Sequence, residues 1–182
     1  MQKLIRITTI PLSIEKLLEN QPRFFSKYFD VTLVSSDKEK LEEIANEQEV
    51  KYFPLEITRK ITPLQDFRCL IQLVSLLRQE NPYFVHSHTP KAGIIGMLAA
   101  FIARVPVRMH TVAGLPLMEA KGIKKRILYA VECLTYRCAT HVYPNSKGLM
   151  DFIQKKHLAE KTPLQIIGKG SSNGIDTGHF NA

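Results

Sequence analysis

The chain is 182 residues long and 45% hydrophobic, enough for one domain with its own core and too apolar for a disordered segment. Its 25 lysines and arginines against 17 acidic residues leave a net charge of +8. That balance suits phosphate-bearing partners or an anionic membrane surface, and equally a merely soluble basic protein. Cys69, Cys133 and Cys138 stand at unrelated spacings, so neither a disulfide framework nor a zinc ribbon is expected, and the odd count suits a reducing cytoplasm.

The start, MQKLIRITTI, lacks the apolar core and cleavage site of a signal peptide. The most apolar stretch, residues 92–103, is far short of the ~20 residues a membrane span needs. The expected localisation is cytoplasmic, with any membrane contact peripheral.

In chain order, strands alternate with helices. Residues 3–8 (KLIRIT) read as a first strand, 13–20 as a short helix and 30–35 (DVTLVS) as a second strand. Ser36, with Glu39 three residues on, makes a capping box for a helix with Leu41, Ile44 and Ala45 on one face. Residues 50–53 are a third strand. Thr62-Pro63 opens the next helix, and Leu64, Phe67, Ile71, Val74 and Leu77 recur at helical period as its apolar stripe. Asn81-Pro82 stops it. Residues 84–88 (FVHSH) form a fourth strand, and Thr89-Pro90 starts a nearly all-apolar helix that should lie buried beside the sheet. A fifth strand at 105–110 precedes a helix over 123–139 with Ile127, Val131 and Leu134 facing inward. A sixth strand at 141–144, a helix at 146–156 and a seventh strand at 164–167 follow, and the chain ends in GKGSSNGIDTGHFNA.

This alternation implies an α/β fold, a doubly wound, Rossmann-like parallel sheet with helices on both faces. The switch point falls between the first and fourth strands. Residues 1–170 make the domain and 171–182 read as a hinge. Ligands in such sheets bind beyond the carboxyl ends of the strands, which selects the loops at 8–13, 86–93, 110–116, 145–148 and 168–176.

The first loop, TTIPLS, holds no glycine, which excludes a dinucleotide fingerprint, and no P-loop motif occurs anywhere. After the fourth strand, Thr89, Lys91 and Gly93 sit at a helix start, where free N–H groups, the helix dipole and an ammonium together attract anions. Thr89 also reads as a plain cap and Lys91 as a solvated charge. His86 and His88, two apart, point to one face. A metal site would need a third ligand such as His110 and a carboxylate base, which no strand end provides, so no metal is expected and His86 reads as buried and hydrogen-bonded. His110 ends the fifth strand facing the expected cleft, where an imidazole could donate to a sugar hydroxyl. Arg59, Lys60, Lys121, Lys124, Lys125 and Arg126 read either as solvated faces or as contacts to an anionic leaflet. No nucleic-acid motif or aromatic stacking platform accompanies them, so no nucleic acid is expected as a partner.

The segments HSHTPKAGIIGMLAA, VPVRMHTVAGLPL, ECLTYRCATHVYPNS and GSSNGID, in this order and at strand ends, resemble the family 4 retaining glycosyltransferases of GT-B architecture. They look most like bacterial members that build capsular polysaccharide, exopolysaccharide or glycan-carrier oligosaccharides. The likeness runs over nearly the whole chain. It implies an N-terminal, acceptor-side domain and a hinge toward a C-terminal domain that binds most of the nucleotide-sugar donor. It further implies a lipid-linked or surface-glycan acceptor, retention at the anomeric carbon, no cofactor, and little activity from this segment alone.

The family's strand-end histidine, which contacts the donor sugar, carries over onto His110 as the catalytic candidate. The strand-end loops offer Thr9, Ser13, His88, Thr89, Lys91, Gly93, Gly114, Asn145, Ser146 and Asn173 as substrate-binding candidates. Many members have a Gly-Gly pair where this chain has TTIPLS, a departure that Ser13 and the following helix start could partly offset. Two other readings stay open: half of a GT-B nucleotide-sugar 2-epimerase, and a stand-alone, non-catalytic binding module.

Overall fold

A computed structural model of the chain describes residues 1–171. Six strands form one parallel sheet in the order β3-β2-β1-β4-β5-β6. They are β1 (Lys3–Ile7), β2 (Asp30–Ser35), β3 (Lys51–Pro54), β4 (Phe84–Ser87), β5 (Val107–Val112) and β6 (His141–Pro144). The order reverses at β1, which pairs with β2 on one side and β4 on the other, so the switch point lies where the alternation predicts it. The expected seventh strand shrinks to a single parallel bridge between Val142 and Leu164 at the sheet edge. Only Val142 donates to Pro163 O (3.1 Å) and accepts from Gln165 N (3.1 Å) there, too short a ladder to count as a strand. All but Ser171 of the expected hinge, including Asn173, lies outside the described residues.

Each face of the sheet has its own core. One holds Ile5, Ile7, Val34 and Val85 against α4 (Pro63–Glu80), α5 (Pro90–Ile102), α6 (Gly122–Cys138) and α7 (Lys147–Lys155). The other holds Leu4, Val31 and Leu33 against the short α1 (Pro11–Ser13), the π-turn Ile14–Leu18 and α3 (Lys38–Glu47), with α2 (Gln21–Ser26) alongside. Each large aliphatic side chain fully withdrawn from water in these layers stabilises by about 1.5–3 kcal/mol.

Helix α5 is buried almost all round, as its composition requires, and lies between α4 and α6. Two glycines let it approach the strands. A Cβ on Gly96 would meet Ile7 Cδ1 at 3.0 Å, and one on Gly93 would meet His110 Cε1 at 2.6 Å.

Three local expectations are corrected. The cap of α3 is Asp37, not Ser36: Asp37 adopts φ 53° and accepts from Lys40 N (3.2 Å). Ser36 instead donates to Thr9 O (2.8 Å). In α4 the buried face is Cys69, Leu73, Leu76 and Leu77, whereas Leu64 is 83% exposed and Phe67 and Ile71 are exposed with it. In α6 the buried residues are Glu132, Thr135, Tyr136 and Cys138, and Ile127 and Leu134 face solvent. The reason is common to both helices. In each, the stripe that is buried lies around the helix from the one the apolar period suggests, which leaves most of the expected residues in solvent.

Candidate functional site

The loops after β1, β2 and β4 are stitched together at the switch point. Thr9 N donates to Thr89 Oγ1 (3.1 Å), and the two hydroxyls lie 2.6 Å apart. Thr8 Oγ1 donates to Ser35 Oγ (3.0 Å). His88 N reaches Ile7 O (3.1 Å). Thr89 has the backbone of an N-cap, but its hydroxyl serves Thr9 and not the helix. Thr9 is buried in this knot. Ser13 closes the three-residue α1 and is half-buried, so it is not a helix start offering free N–H groups.

Lys91 is not a free ammonium at the start of α5. It forms a part-buried ion pair with Asp66 and donates to Lys60 O (2.8 Å). Asp66 also accepts from Thr62 Oγ1 (3.1 Å) and Thr62 N (3.3 Å). The pair ties the starts of α4 and α5 together, and its carboxylate cancels the positive charge expected to recruit an anion.

His110 corrects the strongest sequence expectation. Its ring is not exposed at the cleft; it is 2% accessible and lies under the sheet against α5 and α6. It is hydrogen-bonded through Nδ1 to Ser87 Oγ (2.8 Å), covers Gly93, and packs 6.0 Å from the Tyr136 ring. Burial lowers its pKa to about 4, so it is neutral at physiological pH. Gly93 is accordingly a seat for this ring and not a ligand contact. The residues that do reach the surface at the end of β5 are Ala113 and Gly114, which bring only backbone; a Cβ on Gly114 would meet nothing within 4 Å.

The opposite face of the same strands carries Arg6, His86, His88, Thr111 and Tyr143, which share it because side chains alternate along each strand. His86 and His88 stack with centroids 4.0 Å apart. His86 Nε2 meets Thr111 Oγ1 at 2.8 Å. Burial, reinforced by neighbouring positive charge, holds both imidazoles well below their ordinary pKa. His110 points away through the sheet, so the three histidines do not converge. Arg6, 2% exposed, donates Nε to His88 Nε2 (3.3 Å) and Nη2 to Gln21 Oε1 (3.0 Å), with its guanidinium over the Phe25 ring. A cavity of about 260 Å³ opens over it, lined by Gln21, His86, His88, Tyr143, Asn145 and Ser171 among others. Ser171 N donates to Asn145 O (2.7 Å), and Asn145 N to Val112 O (3.1 Å), at the carboxyl ends of β5 and β6.

With this geometry in place, similarity to known proteins decides the family. The glycosyl transferase 4-like family model matches residues 17–146. The chain belongs to that family. It is 38% identical over 180 residues, 98% of its length, to the capsular polysaccharide biosynthesis glycosyltransferase CapM of Staphylococcus aureus, of which it covers 46%. It is 29% identical over 156 residues, 85% of its length, to the UDP-Gal:α-D-GlcNAc-diphosphoundecaprenol α-1,3-galactosyltransferase of Escherichia coli, covering 39% of that protein. The chain therefore spans less than half the length of the curated relatives it matches. In fold it resembles Anabaena HepE in complex with UDP and glucose (TM-score 0.67, 15% identity, 98% of this chain and 46% of that one). It also resembles a UDP-N-acetylglucosamine 2-epimerase from Listeria monocytogenes (TM-score 0.65, 18% identity, 92% of this chain and 45% of that one).

Within this family domain, the sequence-predicted residues separate. Thr9, Thr89 and His88 meet at the switch point. Asn145 lines the cavity on the β6 side. Exposed Ser146 caps α7 by accepting from Leu149 N (3.2 Å).

Arg59, Lys60, Lys121, Lys124, Lys125 and Arg126 are all exposed, at or just before the starts of α4 and α6. Sequence reasoning missed their apolar company. Ile61, Leu64, Phe67 and Ile71 stand out from the α4 region, and Met118, Ile123 (77% exposed) and Ile127 from the α6 region. It also read Arg6 only as part of a strand, because a lone arginine in an apolar run carries no motif. Among the described residues, no helix is long and apolar enough to cross a membrane.

Proposed function

We propose that this chain is the acceptor-side domain of a glycosyltransferase that moves a sugar from a nucleotide-sugar donor to a lipid-linked or surface-polysaccharide acceptor, with retention. The observation that carries the reading is the 38% identity to a capsular polysaccharide glycosyltransferase, sustained over 98% of the chain. The relative that acts on a diphosphoundecaprenol-linked sugar supports a lipid-linked acceptor. The knot of Thr8, Thr9, Ser35 and Thr89 holds the cleft floor rigid. The backbone of Ala113–Gly114 and the side chain of Asn145 offer polar groups to a ligand lying across the strand ends.

The same reading has the domain seated on a membrane. Basic residues at the starts of α4 and α6 attract an anionic leaflet at about 1 kcal/mol each near the surface. The exposed isoleucines, leucine and phenylalanine between them supply apolar contact with the acyl boundary.

The test is to join this domain to the donor-binding C-terminal half of a family relative, since residues 1–182 alone are expected to transfer little. The joined protein is incubated with radiolabelled UDP-hexoses and a polyprenyl-diphosphate-linked sugar, and label is counted in the organic phase. Transfer with the donor's anomeric configuration preserved is the expected result. The epimerase reading is kept alive by the 2-epimerases among the structural neighbours. It predicts instead an epimerised free nucleotide sugar and no labelled lipid, and that outcome would overturn the transferase reading.

A further inference from the structure

Arg6 is anomalous for a buried charge. Removing an ion from water costs several kcal/mol unless it is paired and its hydrogen bonds are satisfied. The described residues give Arg6 no carboxylate: its hydrogen-bond partners are a neutral imidazole and an amide. Burial lowers its pKa only to about 10, so it is charged at neutral pH. Among the described residues its Nη1, itself buried, has no partner.

The half-buried Arg108 shows what a purely structural guanidinium looks like in the same sheet. Arg108 donates Nε to Cys138 O (2.6 Å) and Nη1 to Val105 O (2.6 Å). Carbonyls at the amino end of β5 and the end of α6 absorb its donors. Arg6 instead keeps a buried, unpartnered Nη1 and lines the 260 Å³ cavity, whose other polar walls include His86, His88 and Asn145.

We propose that this cavity binds the oxyanion group, phosphate or carboxylate, of an acidic ligand, with Arg6 as its principal contact and His88 and Gln21 holding the guanidinium fork in place. Nε and Nη2 are engaged by His88 and Gln21, which leaves Nη1 to donate a charge-assisted hydrogen bond to such a group. Tyr143 and Phe25 flank the cavity with apolar surface that fits the ring or chain carrying the anion. A residue on β1 thereby becomes a specificity determinant for a charged ligand at the strand ends. This ligand chemistry rests on the cleft reading for its role, but binding is measured without any sugar transfer, so the two can fail separately.

The test is titration of the chain with inorganic phosphate, pyrophosphate and glucuronate, following the imidazole ring resonances of His86 and His88 by NMR. Glucose and chloride serve as controls. Saturable shifts with phosphate or glucuronate and none with the controls are expected. The phosphate and glucuronate arms tell which oxyanion the site prefers. Arg6→Met should weaken that binding about tenfold or more, the worth of a charged hydrogen-bonded contact. Arg6→Lys, which keeps the charge without the fork, guards against a variant that fails to fold and should weaken binding as well. Absence of saturable shifts in the unmodified chain, or unchanged affinity in a folded Arg6→Lys or Arg6→Met variant, would overturn the proposal.

Discussion

Gly93→Ala tests the place of His110 directly. Gly93 lies inside α5 at an ordinary helical φ, so on propensity alone alanine should stabilise by about 1 kcal/mol. The structure predicts the opposite sign. The new methyl would lie 2.6 Å from His110 Cε1 and 3.1 Å from both ring nitrogens, so the ring must move. The ring is held by Ser87 Oγ at 2.8 Å and walled by Tyr136, so it cannot move freely. Overpacking a core typically costs about 1–3 kcal/mol, and losing the Ser87 bond adds about 1 kcal/mol. Set against the propensity gain, the net loss is about 1–3 kcal/mol, or several degrees in Tm for a chain of this size. Urea unfolding of the purified chain measures it. In a His110→Ala background the clash disappears, so Gly93→Ala should there become neutral or stabilising by up to about 1 kcal/mol. If Gly93→Ala stabilises the unaltered chain, the imidazole does not sit on α5 and the burial of His110 is wrong.

Acid should unfold the chain early. His86, His88 and His110 all have folded pKa values depressed below 6.5, His110 to about 4, so the stability they contribute is present above pH 6.5 and lost as pH falls toward 4. Urea midpoints from pH 7.5 to 4.5 should fall, and a flat profile would contradict their burial. Glu132 has the reverse sign: burial raises it to about 7, so it destabilises as pH rises from 4.5 through 7, and Glu132→Gln should raise stability at pH 8 but not at pH 4.5. For the membrane seat, Ile123→Asp with Ile127→Asp should reduce sedimentation with anionic vesicles. Reversing Lys124, Lys125 and Arg126 to Glu should abolish its salt sensitivity, and equal binding by all forms to neutral and anionic vesicles would refute that surface.

The sequence alone determined the architecture. Strand and helix periods, Pro63 and Pro90 at helix starts and the apolar run of α5 fix a doubly wound parallel sheet, because only a few layer arrangements bury such elements. The same regularity located the switch point and the cleft-end loops.

Which face each residue took was decided by tertiary packing. His110 reads as a strand end in the sequence but lies inside β5, and His88 lies just past β4; one enters the core under α5 and the other meets Arg6 on the opposite side, a difference set by register and by Gly93. Leu64 and Ile127 keep helical period but stay in water, because α4 and α6 bury a different stripe in the core. Lys91 looks like an anion site in the sequence and becomes an ion pair because Asp66, 25 residues away, folds beside it. Periodicity reports a local angle, whereas burial and charge pairing depend on what long-range contacts bring alongside, and that information is spread over the whole chain.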